Sequence, residues 1–441
     1  MTHFNARILL AGLLASGFLF SSCQQTPTLE ANAPVNTNSV ANAAPPPTNV
    51  QQPAPSAAAV NLPVTMPLLD AMFADESFVA EAKQAAQLTD EEASKVRDEA
   101  KDAVLQLGVA ADDDSRSTRI AVDDTRKKIE KIIGPERSEK LFALVRSRWS
   151  KGSQELASAR PNEVPTDTRV VVNAPAYRMD IFKDGQLIKS YKIGIGYPEF
   201  PLPTGLRKAS EIIFNPTWTP PDEPWVKGKV QPGKKVEAGS KLNPLGPIKI
   251  PIGLPSLVHG GKDPSRLGTF ASHGCVGLTS PMVQDFAVQL SSLGGAPLTI
   301  EDVKGYEKAR TETTEVKLEN AVPVELRYET IVVQDGNVMV YRDVYERGTN
   351  TEDNLRKVID SYGVNFDQLS EKERSQLLDA VRRMAVDASG EEVKDPNSNN
   401  NTEKNTSKAV TRTIKGKKEI VVPVAALRGK GYPTPIGLAA R

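Results

Sequence analysis

Two short segments hold the residue types that thiol catalysis requires: His259-Gly260-Gly261 and Ser272-His273-Gly274-Cys275-Val276-Gly277-Leu278. A thiol is a weak nucleophile until it loses its proton, and with an ordinary pKa of about 8.5 only a few per cent is ionised at pH 7. A neighbouring imidazole removes this obstacle by accepting the proton, and later returns one to a leaving amine. His259 precedes Cys275 by 16 residues, so the two can meet across adjoining strands. His273 cannot easily take that part, because side chains at i and i+2 of an extended segment point one way yet stand about 7 Å apart. Gly274 permits tight backbone geometry beside the nucleophile, where the amides of His273, Gly274 and Cys275 are candidates to face a developing oxyanion.

Other readings of the same residues compete. A zinc site could use His259, His273 and Cys275, but a structural site normally takes four ligands. The chain has only two cysteines and three histidines, and Cys23 and His3 lie in or beside the leader. Cys275 could also be an inert thiol between two core histidines. Papain-like thiol enzymes share the Cys and His pair, but there the cysteine usually comes first in the chain. No disulfide, metal or cofactor is expected.

The 55 basic and 55 acidic residues cancel, so nothing global points to nucleic acid. At 441 residues the chain is long enough for two or three domains. Arg7 followed by an apolar run from Ile8 to Phe20 is too short to span a bilayer and suits an export signal. The run ends in Phe20-Ser21-Ser22-Cys23, which resembles a lipoprotein processing site with Cys23 cleaved at its amino side and lipidated. Phe20 stands where the usual residue is Leu. Gln24 does not match the common Asp-type signal for inner-membrane retention, so an outer-membrane anchored periplasmic lipoprotein is expected. Residues 24–67 are Pro, Ala, Asn, Gln and Thr with Glu30 as the one charge, and read as a disordered tether.

Residues 68–152 read as a helical domain. Thr89 to Glu92 has the capping-box form, and Val96, Ala100, Ala103, Val104 and Leu107 recur at helical spacing. A second helix carries Ile129, Ile132 and Ile133 and stops at Gly134; Pro135 opens a third. Narrow apolar stripes fit a small antiparallel bundle, plainly a spacer or docking domain. From Arg169 the period changes to two, with an Asp184-Gly185 hairpin signal, and the chain to Ile300 reads as β-rich, with Ile248–Ile252 and Pro297–Ile300 as apolar runs and one helix near Ser280 to Leu293. Asp335-Gly336 marks a second hairpin, 320–347 reads as a β extension, 351–389 as helical, and 390–441 as linker and tail in which Ile420-Val421-Val422 is a candidate strand without a role.

The interval from His259 to Ser-His-Gly-Cys resembles the signature of L,D-transpeptidases (the YkuD-like catalytic domain). Arg169 to Arg178, Pro203-Thr204-Gly205, Asn215-Pro216-Thr217-Trp218 and Asn243-Pro244-Leu245-Gly246 are similar to recurring segments of that family. The resemblance implies a β-rich catalytic fold over residues 168–303, flanked here by N-terminal and C-terminal helices. It also implies a two-step acyl transfer on peptidoglycan stem peptides. Cys275 attacks the carbonyl of the third stem residue, usually meso-diaminopimelate, and releases D-Ala; the acyl group then passes to an amine, giving a 3→3 cross-link or attachment of a wall protein. His259 is then the base, the Gly260 carbonyl orients its ring, Ser272 and His273 shape the site, and the amides from His273 to Cys275, Gly274 among them, form the oxyanion hole. Such an enzyme serves cell-wall organisation and cell shape. Many members have Arg two residues after the cysteine, where this chain has Gly277, so Lys262 or Arg266 is the expected substitute. Two alternatives stand beside this reading: a hydrolase of the same fold, and a non-catalytic wall-binding lipoprotein.

Overall fold

The computed structural model describes residues 62–107, 114–116, 118–149, 160–220, 228, 230–231, 233–253, 256–388, 390–393, 409–411, 414 and 416–438. The chain divides at Pro53, and the first unit lies wholly outside these residues. So do the export signal, Cys23 and most of the expected tether. The last residues assigned to that tether are packed: Leu62, Val64 and Met66 are buried in the core of the helical bundle. Their side chains are apolar, unlike the Ala, Asn and Gln before them, and that is what lets them pack.

Five helices follow: α1 (Met66–Phe73), α2 (Glu76–Ala86), α3 (Asp90–Leu107), α4 (Thr118–Ile133) and α5 (Pro135–Trp149). The Thr89–Glu92 box forms as expected, with the Glu92 amide donating to Thr89 Oγ1 at 3.1 Å and the Thr89 amide to Glu92 Oε2 at 3.0 Å. Arg137 on α5 reaches the same carboxylate at 2.8 Å, tying two helices together. The short helices α1 and α2 were not apparent from spacing, because each is a few turns long and α1 is apolar on nearly every side.

The β-rich region builds an eight-stranded mixed sheet. Its strands are β2 (Arg169–Asn173), β3 (Arg178–Lys183), β4 (Gln186–Lys192), β6 (Gly205–Phe214), β7 (Ile248–Pro251), β8 (Leu257–His259), β10 (Val276–Gly277) and β11 (Thr314–Arg327), in the order β10-β8-β7-β6-β11-β2-β3-β4. A short parallel pair, β5 (Ile195–Gly196) and β9 (Phe270–Ser272), lies beside it, and β1 (Asp114–Arg116) pairs with β14 (Ala409–Thr411). Asp184 and Gly185 both take positive φ, 50° and 78°, as a tight hairpin turn needs. Helix α6 (Ser280–Leu293) packs its apolar stripe of Val283, Phe286, Ala287 and Leu290 on the sheet.

Three expectations are corrected. Pro297–Ile300 is not a strand: Thr299 caps α7 (Ile300–Lys308) in a reciprocal box with Asp302. The strand β11 is no appendage after the catalytic domain, since it lies between β6 and β2 and runs parallel to β2. The tail strand β15 (Glu419–Pro423) has a role, because it pairs with β13 (Asn337–Tyr341), which pairs with β12 (Ile331–Gln334) in a three-stranded sheet. Helices α8 (Glu352–Asp360) and α9 (Glu371–Met384) cover that sheet through Leu355, Val358, Ile359, Leu377 and Val381.

Candidate active site

Strand register explains how residues 16 apart come together. In the parallel pair β8–β10, Val258 faces Val276 and His259 faces Gly277. Carried back one residue, the register sets Cys275 opposite Leu257. Side chains alternate along a strand, so Leu257, His259 and Cys275 share one face. The Leu257 backbone hydrogen-bonds the Cys275 sulfur and favours its ionised form, as does the charge on Lys262, although burial outweighs both and pushes the thiol up.

His259 is buried, and its Nδ1 lies 2.8 Å from the Gly260 carbonyl oxygen. A carbonyl can only accept, so Nδ1 carries the proton and Nε2 keeps its lone pair. Burial and then the Lys262 charge lower the ring's pKa to about 3, with the backbones of Gly260 and Leu245 pulling the other way. The imidazole is therefore neutral at pH 7 and able to accept a proton. A Cβ on Gly260 would stand 2.6 Å from Val283 Cγ1, so helix α6 presses directly on the backbone that carries the histidine.

The loop before Cys275 is fixed by its own side chains. Ser272 Oγ accepts from the Cys275 amide at 3.0 Å and donates to the Cys275 carbonyl at 2.5 Å. Ser256 Oγ donates to the Gly274 carbonyl at 2.7 Å, and Gly274 has φ of +88°, a conformation that side chains resist. The Cys275 amide, one of the three expected to face an oxyanion, donates here to Ser272 Oγ. The His273 ring stands edge-on to Tyr197 and Phe200, with centroids 5.1 and 4.7 Å away, which holds it as part of the wall.

His259, Ser272, His273, Gly274 and Cys275 line one cavity of about 650 Å³. Thr217, Trp218, Pro244 and Leu245 also line it, and Asn243 Nδ2 donates to the Pro216 carbonyl at 2.7 Å, locking two of the family-like segments together. Lys262 lines the cavity too. A Cβ on Gly277 would meet Lys262 Cγ at 2.8 Å and Cε at 3.0 Å, so the lysine's aliphatic chain fills the space over that glycine. Burial lowers the Lys262 pKa to about 8. Arg266 instead donates from Nη2 to Tyr197 Oη at 2.9 Å and is not among the lining residues. No group of three His, Cys, Asp or Glu side chains placed to hold a metal occurs among the described residues.

The sequence reading missed the opposite wall. Thr65, Pro67, Leu68, Asp70, Ala71 and Ala74, in and around α1, line the same cavity. The bundle is thus part of the site and not a remote spacer. Thr65 Oγ1 donates to the Glu199 carbonyl at 2.8 Å, and Thr118 Oγ1 to the Pro198 carbonyl at 2.7 Å, both in buried settings. The Glu346 carboxylate accepts from the Thr118 amide at 3.0 Å, closing the first turn of α4 from the other side. The one local signal was Met66-Pro67, a proline early in a helix.

Comparison with solved structures returns L,D-transpeptidases. The catalytic domain of an L,D-transpeptidase from E. faecium is 17% identical over 37% of this chain and 100% of that one, with a TM-score of 0.24. An L,D-transpeptidase from Mycobacterium smegmatis is 16% identical over 36% of this chain and 58% of that one, with a TM-score of 0.22. The Ldtfm–avibactam carbamoyl enzyme is 18% identical, with a TM-score of 0.22; the match covers 36% of this chain and about half, 49%, of that one. No curated protein matches the sequence. Residues 167–315, about a third of the chain and the stretch that carries His259 and Cys275, match the sequence model of the L,D-transpeptidase catalytic domain (YkuD).

Proposed function

We propose that this protein is a peptidoglycan L,D-transpeptidase with Cys275 as its nucleophile. The reading is carried by the His259 ring, whose Nδ1 is held by Gly260 while Nε2 is left to act on a thiol of the same cavity face. Cys275 Sγ attacks the carbonyl carbon of the third stem residue as His259 Nε2 takes the thiol proton. The amide of Gly274 is the natural donor to the resulting oxyanion, since that of Cys275 is engaged. The C–N bond to the terminal D-Ala then breaks, and His259 returns the proton to the departing amine. An amine of a second stem attacks the thioester, gives up its proton to His259, and frees the thiol. Ser272 and His273 hold the loop and the wall. No step calls for a metal or other cofactor.

We further propose that the chain is exported and anchored by a lipid on Cys23, so that it works on the wall from a membrane surface. Mass spectrometry of muropeptides incubated with the protein tests the chemistry. Cross-linked dimers lacking one D-Ala are expected, and none with Cys275→Ala. Trimmed monomers without dimers would instead favour the hydrolase, and an unchanged substrate would overturn both.

A further inference from the structure

The cavity is electrically divided. Its acids, Asp70 and Glu199, come from α1 and from the loop to which Thr65 ties that helix. Its bases, Lys249 and Lys262, come from the sheet side, and Lys249 is the cross-strand partner of His259. Neither lysine's ammonium, nor the Asp70 carboxylate, makes a hydrogen bond or ion pair among the described residues. Burial raises the Asp70 carboxyl, opposed by the charges of Lys101 and Arg97 on α3, and Arg97 is itself paired with Glu76 at 2.9 Å. Half-buried charges without a hydrogen-bonded partner are costly, and they are worth keeping where a ligand completes them.

A purely anionic ligand would meet Asp70, and a purely cationic one would meet the lysines. We infer that this cavity is a subsite for a zwitterionic amino-acid head group, with Asp70 as the specificity residue that receives its ammonium and Lys249 and Lys262 facing its carboxylate. The inference rests on the transpeptidase reading, in which the stem residue at the reacting carbonyl is a diamino dicarboxylic acid whose side chain ends in such a head group. Its new content is that the helical bundle, and not the catalytic sheet alone, selects the substrate.

Calorimetry on the full chain carrying Cys275→Ala tests it without turnover. The probes are an N-acetylated tetrapeptide stem with free meso-diaminopimelate, the same stem with the side-chain amine acetylated, and the same stem with the side-chain carboxyl amidated. Each blocked stem should bind about tenfold more weakly than the free one. Asp70→Asn should weaken the free stem about tenfold and leave the amine-acetylated stem unchanged, while Asp70→Glu restores binding. Circular dichroism of each variant excludes misfolding as the cause. Equal binding of all three stems, an Asp70→Asn variant that loses all three equally, or no binding at all would overturn the inference. Discrimination without turnover by the Cys275 protein would instead sink the transpeptidase reading and leave the subsite standing.

Discussion

The aliphatic chain of Lys262 occupies the space that a side chain on Gly277 would fill, and brings its charge beside Cys275. The lysine's stem therefore covers the position two residues after the cysteine. Lys262→Met keeps the volume and removes the charge, so the Cys275 thiol should ionise at higher pH. Iodoacetamide alkylation at pH 7.5 should slow about tenfold, and kcat/KM for a tetrapeptide donor should fall with it. Gly277→Arg should not simply add a cation, because its Cβ displaces Lys262 first. An alkylation profile unmoved by Lys262→Met would show that the charge does not reach the sulfur.

The pH profile should lack the acidic limb usual for histidine catalysis. With the His259 pKa lowered to about 3 by burial and by Lys262, the ring stays neutral, and competent as a base, down through the ordinary titration range. From about pH 5 to 7.5 the profile should then show no inflection near 6.5, any slope there being that of thiol ionisation. On the alkaline side Lys262, its pKa lowered to about 8, loses the charge that favours the thiolate, and kcat/KM should bend downward there. A half-drop between pH 6 and 7 in kcat/KM would mean that the working base is solvated.

Ser272 holds both the amide and the carbonyl of Cys275 with one hydroxyl. Ser272→Ala leaves two part-buried polar groups without that partner, at a cost of about 1–3 kcal/mol. A lower midpoint in thermal unfolding and a larger loss in acylation rate than in donor binding are expected. Ser272→Thr keeps the hydroxyl and should retain more of both. Equal kinetics for Ser and Ala at position 272 would remove the residue from the loop's support.

Cys23→Ser tests the anchor separately from the chemistry. The variant should process stem peptides in vitro as the parent does, yet move from the membrane fraction to the soluble one. Continued sedimentation with membranes would place the attachment elsewhere.

Much of the site was legible because its parts are local. The Asp-Gly turns, the Thr89 capping box and the Ser-His-Gly-Cys segment each lie within a few residues, so they can be picked out from spacing alone. What could not be read depends on partners far away in the chain. Asp70 lines the cavity on a helix that is tied there by contacts such as that of Thr65 with a carbonyl 134 residues on. The Lys262 position over Gly277 follows from strand register that no short segment encodes. Helix α7 was missed for a different reason: the Pro297–Ile300 run is apolar, and the Thr299–Asp302 cap that decides its fate is a weak signal beside it.

The central place of β11 bears on how the domain is made. The hairpins β2–β4 are synthesised before β6 and β7, yet their one long ladder to that half of the sheet runs through β11, which arrives more than a hundred residues later, with the Gly194–Gly277 bridge to β10 as a lesser link. Until residue 327 has left the ribosome, two open sheet edges wait for one strand. Closure over such sequence distance is slow, and unpaired edges invite other chains meanwhile. A chain ended at 315, where the family match stops, would keep His259 and Cys275 but lose the strand that joins the halves. It should be recovered as aggregate, whereas one ended after the β12–β13 hairpin keeps β11 whole.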